Sequence, residues 1–172
     1  FLADADGSLL SRNPEGLAID KWNNSILVAD SSNNRILRIN NQTANYTVLD
    51  NFSFNGVKDV SSDSKGNVFF VAASKLYKYD YYFDTELAVF DFVSFPGYDA
   101  LKPLHGVSVG SDNLLHGSDS VLVAGYGLNK VFQLNNDLNA ILREYGDGTP
   151  SSSGLYWPTG IDFDWTGNKY IS

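Results

Sequence analysis

Apolar residues along this chain fall in runs of four or five, and polar turns separate them. The first full unit opens Pro14-Glu15-Gly16-Leu17-Ala18-Ile19-Asp20. After a polar turn comes Ser25-Ile26-Leu27-Val28-Ala29-Asp30, then Ser31-Ser32-Asn33-Asn34, then Arg35-Ile36-Leu37-Arg38-Ile39, and last Tyr46-Thr47-Val48-Leu49. These are four short strands bounded by Asn, Asp, Ser or Gly. A helical reading fails throughout, because the apolar runs are too short and the turn signals too frequent.

The unit recurs. The second runs from Val60-Ser61-Ser62-Asp63 through Val68–Ala72 and Lys75–Tyr79 to Glu86–Phe90. The third runs from His105-Gly106-Val107-Ser108-Val109 through Val121–Gly125 and Lys130–Leu134 to Ala140–Arg143. The fourth opens Pro158-Thr159-Gly160-Ile161-Asp162-Phe163-Asp164 and reaches Lys169-Tyr170-Ile171. Equivalent positions Asp20, Asp63, Gly110 and Asp164 are spaced by 43, 47 and 54 residues. Propeller blades of four strands repeat at about 40–45 residues, and the excess falls in turns, where insertions cost little. Residues Phe1 to Arg12 follow the pattern of Phe132 to Arg143, which predicts a half blade at the amino end. The expected fold is therefore all-β: a β-propeller of four-stranded antiparallel blades. It has a half blade over 1–12, blades over 14–52, 57–93 and 104–145, and a half blade over 157–172, as part of a six-bladed ring. Each small sheet has two apolar faces, and stacking around an axis buries both while leaving short, protected edges.

Composition narrows the function. The 172 residues include no cysteine, so disulfides, thiolate metal sites and cysteine nucleophiles are absent. Twelve basic against twenty acidic residues leave a net charge of -8, which opposes broad nucleic-acid contact. No run of about 20 apolar residues could span a bilayer. There is no methionine, from which we expect a fragment or a processed chain. No Gly-x-Ser-x-Gly elbow and no phosphate-binding glycine loop is present.

The segments Pro14–Asp20 with Leu27–Ile36, and Gly146-Asp147-Gly148 followed by Trp157–Asp164, resemble NHL repeats. They also resemble the related six-bladed propellers of the gluconolactonase and strictosidine-synthase-like groups. The sequence departs from the pattern at Asp59, where other units have glycine, at Ala73, where the first unit has Asp30, and at Gly110, where others have aspartate. The resemblance implies that the residue before each inner strand sits at the rim of the central channel. Here those residues are Glu15, Lys58, His105 and Thr159. Lactonases of this kind hold a metal near such positions, and peptide-cleaving relatives place histidines there. Lys58 opposes a cation and is placed to pair with Glu15, so no metal and no cofactor are expected. Functions within this fold vary too widely for the fold to choose among them.

The turn aspartates Asp20, Asp63 and Asp164 are expected to accept backbone N–H bonds within their own turns. Asp30, Asn33, Asn34 and Arg35 are expected to organise the next hairpin the same way. His116, in a polar turn, reads as solvated. The aromatics Tyr77, Tyr79, Tyr81, Tyr82 and Phe83, then Phe90, Phe92, Phe95 and Tyr98, read as packing between blades, with an exposed patch that meets a protein or a glycan as the alternative. Asn-x-Ser/Thr occurs at Asn23, Asn41, Asn45 and Asn51, which predicts N-glycosylation and a secreted or cell-surface protein. With no catalytic set visible, the function expected is a non-enzymatic extracellular module that binds a protein or carbohydrate partner, or copies of itself. The alternative is a metal-dependent lactonase or peptidyl-hydroxyglycine lyase-like enzyme, with part of its site outside this chain.

Overall fold

The computed structural model describes residues 13–50, 55–80, 82, 85–111, 119–149 and 154–172. The half blade expected over 1–12, Asn51, Tyr81, Phe83 and His116 lie outside these residues. Blade 1 consists of β1 (Gly16–Ile19), β2 (Ile26–Asp30), β3 (Arg35–Ile39) and β4 (Tyr46–Asp50). Blade 2 consists of β5 (Val57–Ser62), β6 (Val68–Ala72), β7 (Lys75–Tyr79) and β8 (Glu86–Asp91). Blade 3 consists of β9 (Val107–Ser111), β10 (Asp119–Gly125), β11 (Lys130–Asn135) and β12 (Ile141–Tyr145). A two-stranded sheet of β13 (Ile161–Phe163) and β14 (Lys169–Ile171) follows. Each sheet is an antiparallel meander in chain order. The inner strands meet across blades, β1 against β5, β5 against β9 and β9 against β13. This is an incomplete β-propeller, the arc expected of a six-bladed ring. No α-helix occurs among the described residues, and none of their helices is long and apolar enough to cross a membrane.

Alternation decides which blade interface each side chain enters. Leu27, Ala29 and Ile36 pack against Val57, Val60, Val68, Phe70 and Tyr77 between blades 1 and 2. The neighbouring positions Phe69, Val71 and Leu76 turn the other way, onto Val107, Val109, Val121 and Phe132 of blade 3. Strand β6 is buried along its whole length because both of its faces meet another sheet. Phe92 bridges blades 2 and 3, its ring 5.0 Å from Phe132 and 5.4 Å from Phe95. The aromatic run is thus largely packing between blades; Tyr82 is an exception, exposed to solvent.

Glycines mark where blades approach most closely. A Cβ on Gly16 would come within 2.5 Å of the Asp59 Cα, and one on Gly110 within 2.5 Å of the Phe163 Cγ. The latter contact explains why the third unit has glycine where the others have aspartate. Asp20 accepts the Trp22 N–H at 2.9 Å, Asp63 those of Lys65 and Asn67, and Asp164 those of Thr166 and Asn168. Arg38 completes the Asp20 site at 2.9 Å and donates to the Gly66 carbonyl, tying blade 1 to blade 2. Lys78 repeats this role one blade on, donating to the Asn136 carbonyl at 3.0 Å. Asp30 holds Arg35 at 2.7 Å and Asn33 at 2.9 Å, so it organises its hairpin as expected.

Candidate functional site at the channel mouth

Glu15, His105 and Thr159 lie in the segments entering β1, β9 and β13, whereas Lys58 is already the second residue of β5. Glu15 and Lys58 pair across blades, Oε1 to Nζ at 2.7 Å. His105 feels both charges. Its backbone is fixed by an N–H bond to the Ala124 carbonyl at 3.0 Å. Its ring stacks on Tyr126 with centroids 4.5 Å apart. Tyr126 stands in the short 3-10 turn Tyr126–Leu128 between β10 and β11, so it reaches the same rim. Thr159 contributes backbone rather than side chain: its N–H bonds the Ser172 carbonyl at 2.8 Å, and its own carbonyl faces Gly106 so closely that only glycine fits there.

Burial is the largest influence on His105 and lowers its pKa below the ordinary 6.5. The Lys58 ammonium lowers it further, and Glu15 opposes both. The imidazole is therefore neutral at physiological pH and able to accept a proton. Glu15 is engaged by Lys58, and no three metal-ligating side chains converge among the described residues.

Below the mouth lies a cavity of about 340 Å³, lined by Leu17, Ile19, Lys21, Asp59, Ser108 and Asp162 among others. Leu17 and Ile19 are 69% and 56% exposed, since inner-strand side chains face the open axis of the arc. Asp59 fills the position where the other units have glycine. Its strand carries a register irregularity between Val57 and Asp59. One carboxylate oxygen accepts the Val60 N–H and the other the Val107 N–H of blade 3, both at 2.9 Å. Asp59 thus touches blades 1, 2 and 3 at once. The only signal in the sequence was the missing glycine, and nothing local says where that carboxylate points.

Burial raises the Asp59 pKa from 3.8 to about 6, against the two N–H bonds. Between those values the folded state holds the proton more tightly than the unfolded chain. Its contribution to stability is thus fully present below pH 3.8 and is lost as pH rises through about 6. The expected contribution is up to about 3 kcal/mol, because each tenfold gain in proton affinity is worth about 1.4 kcal/mol. Unfolding free energies of the native protein and Asp59→Asn, compared from pH 4.5 to 7.5, will show it. Their difference should move in favour of Asp59→Asn as pH rises, and parallel curves would assign Asp59 no such role.

An NHL repeat model matches residues 12–39, which is blade 1 up to β3. It supports a propeller rather than membership of the NHL family for the whole chain. No curated protein matches the chain. Solved structures do. A streptogramin B lyase superposes with TM-score 0.67 at 20% identity, over 97% of this chain and 52% of that one. A catalytically inactive histidine-to-alanine variant of virginiamycin B lyase from Staphylococcus aureus with quinupristin gives 0.68 at 16%, over 96% and 51%. Kuenenia stuttgartiensis hydrazine synthase gives 0.64 at 10%, over 95% and 42%. The chain spans about half the length of the lyases it matches. These three neighbours are enzymes, which corrects the expectation of a non-enzymatic binding module. That expectation rested on seeing no complete catalytic set.

Proposed function

We propose that this chain is about half of the ring of a propeller enzyme, a lyase working at the channel mouth, with the rest of its site on blades outside the chain. The observation that carries this is His105, a rim imidazole kept neutral by burial and by Lys58, and held in plane against Tyr126. In an elimination, such a base takes a proton from carbon next to a carbonyl. The C–H electron pair becomes a C=C bond, and the bond to the leaving oxygen breaks with its electrons. Lys58 stands beside His105 to stabilise the negative charge that develops on the carbonyl oxygen. The lyases that share the fold support this class of reaction. The test is incubation of the intact protein with quinupristin and with a panel of simple lactones, followed by mass spectrometry. An elimination conserves total mass, whereas hydrolysis adds one water. Products of conserved mass are expected. Products heavier by one water would replace the lyase reading with a hydrolase, and no product from any probe would overturn it for these substrates.

We further propose that the protein is secreted or displayed at the cell surface and carries N-glycans at two or more of Asn23, Asn41, Asn45 and Asn51. Asn41 and Asn45 support this best: both are exposed in the turn between β3 and β4, and the threonines of their triplets are exposed too, Thr43 in the same turn and Thr47 on β4. Asn23 is also exposed, but its side-chain oxygen accepts the Ser25 N–H at 2.9 Å, and Ser25 is buried. Protein from its native source should lose mass on enzymatic deglycosylation, and Asn41→Gln with Asn45→Gln should abolish most of that loss. An unchanged mass rules the modification out.

A further inference from the structure

A cleft of about 410 Å³ opens between the connection from β8 to β9 and the outer strands of blade 3. Phe95, Pro96 and Gly97 of the connection line one side, and Lys130 and Phe132 of β11 with Glu144 of β12 line the other. Asp147 and Gly148, just after β12, belong to the lining too. These residues come from a single blade junction, so the cleft does not wait on blades beyond this arc.

The cleft is held open by the fold. The Phe95 N–H donates to the Phe92 carbonyl at 3.0 Å and the Tyr98 N–H to the Phe95 carbonyl at 3.0 Å, so successive turns fix the connection. The Phe95 ring meets Phe132 edge to face, with centroids 5.1 Å apart and planes at 71°. Gly97 stands at φ +86, and a Cβ there would meet no atom within 4 Å, so that side stays bare. A space of this size, apolar on one side and set with a few polar groups, suits a small ligand.

Charge selects the ligand. Two carboxylates and one ammonium are in the lining, and Glu144 is taken up by Lys130, Oε2 to Nζ at 2.7 Å. Asp147 is the surplus. Its Oδ1 accepts the Thr149 N–H at 2.8 Å and the Thr149 hydroxyl at 2.7 Å. The N–H first, and then the hydroxyl, lower its pKa beneath the ordinary 3.8, so it is charged at neutral pH. Both bonds fall on one oxygen, and the other is available to a donor. Aromatic rings also turn a negative face to cations. Carboxylate and rings therefore favour the same ligand charge, and the rings favour an aromatic body behind it.

We propose that this cleft binds a small arylalkyl ammonium ion, its ring against Phe95 and Phe132 and its ammonium on Asp147. The site goes beyond the reaction at the mouth and stands apart from His105, so binding here is measured without turnover.

The test follows backbone amide resonances of the intact, isotope-labelled protein as 2-phenylethylammonium is added. Saturable shifts at Gly97, Gly127 and Gly148, which all line the cleft, are expected. The neutral counterpart 2-phenylethanol should bind about fivefold more weakly, the upper range for an exposed charge pair. Phenylacetate and ethylammonium should bind more weakly still, the first for its charge and the second for want of a ring. Asp147 is exposed, and asparagine keeps an oxygen for Thr149, so Asp147→Asn should fold and bring the ammonium down to the level of the alcohol. Glu86→Gln removes the same charge from β8, outside the cleft, and should change nothing. Equal binding of the alcohol or of phenylacetate, an affinity indifferent to Asp147→Asn, shifts confined to other residues, or no saturable shift overturns the proposal.

Discussion

His105→Gln is expected to lower kcat/KM by about two to four orders of magnitude, the usual contribution of a positioned general base. Glutamine keeps a planar end near Tyr126 but has no basic nitrogen. The pH profile gives the more telling readout. In the proposed elimination the base must be the neutral imidazole. Since burial and Lys58 lower its pKa, the acid limb of the native profile should lie below that of an ordinary imidazole. Lys58→Gln removes a neighbouring positive charge and should move that acid limb upward. Glu15→Gln removes the opposing negative charge and should move it downward. Burial acts before either charge, so neither variant should carry the limb far above 6.5. A His105→Gln enzyme within a few-fold of native, or acid limbs that ignore both neighbours, would dismiss His105 as the base.

Phe92→Ala should cost about 3–5 kcal/mol of stability, the range for emptying a large buried aromatic site. Phe92 is fully buried and its ring lies 4.8 Å from Phe90, 5.4 Å from Phe95 and 5.0 Å from Phe132. Phe90 and Phe92 belong to blade 2 and its exit, Phe132 to blade 3. The cavity therefore opens at the junction itself, where two rigid sheets cannot collapse to refill it. Tyr82→Ala is the matched control: that ring is 76% exposed, and its loss should change stability by less than about 0.5 kcal/mol. Denaturant midpoints of the two variants compare the effects directly. A cost below about 1 kcal/mol for Phe92→Ala would mean that the blades close over the gap.

The blades were legible in the sequence because a strand declares itself locally. Leu27 and Ala29 take one face and Val28 the other whatever lies beyond the sheet, and Asp20, Asp63 and Asp164 bond to their own turns. The Glu15–Lys58 pair was legible as well, since its partners stand one 43-residue repeat apart. Other links between blades were not: Asp59 meets the Val107 N–H across 48 residues, and Trp157, Tyr126 and His105 stack from three separate segments. No local pattern of residue types reveals these links. Each exists because the apolar faces of neighbouring sheets pack at a particular rotation, and that rotation sets which rim side chains converge. Repeat and register therefore followed from the order of residues, whereas the chemistry of the mouth was decided by the packing of blade on blade.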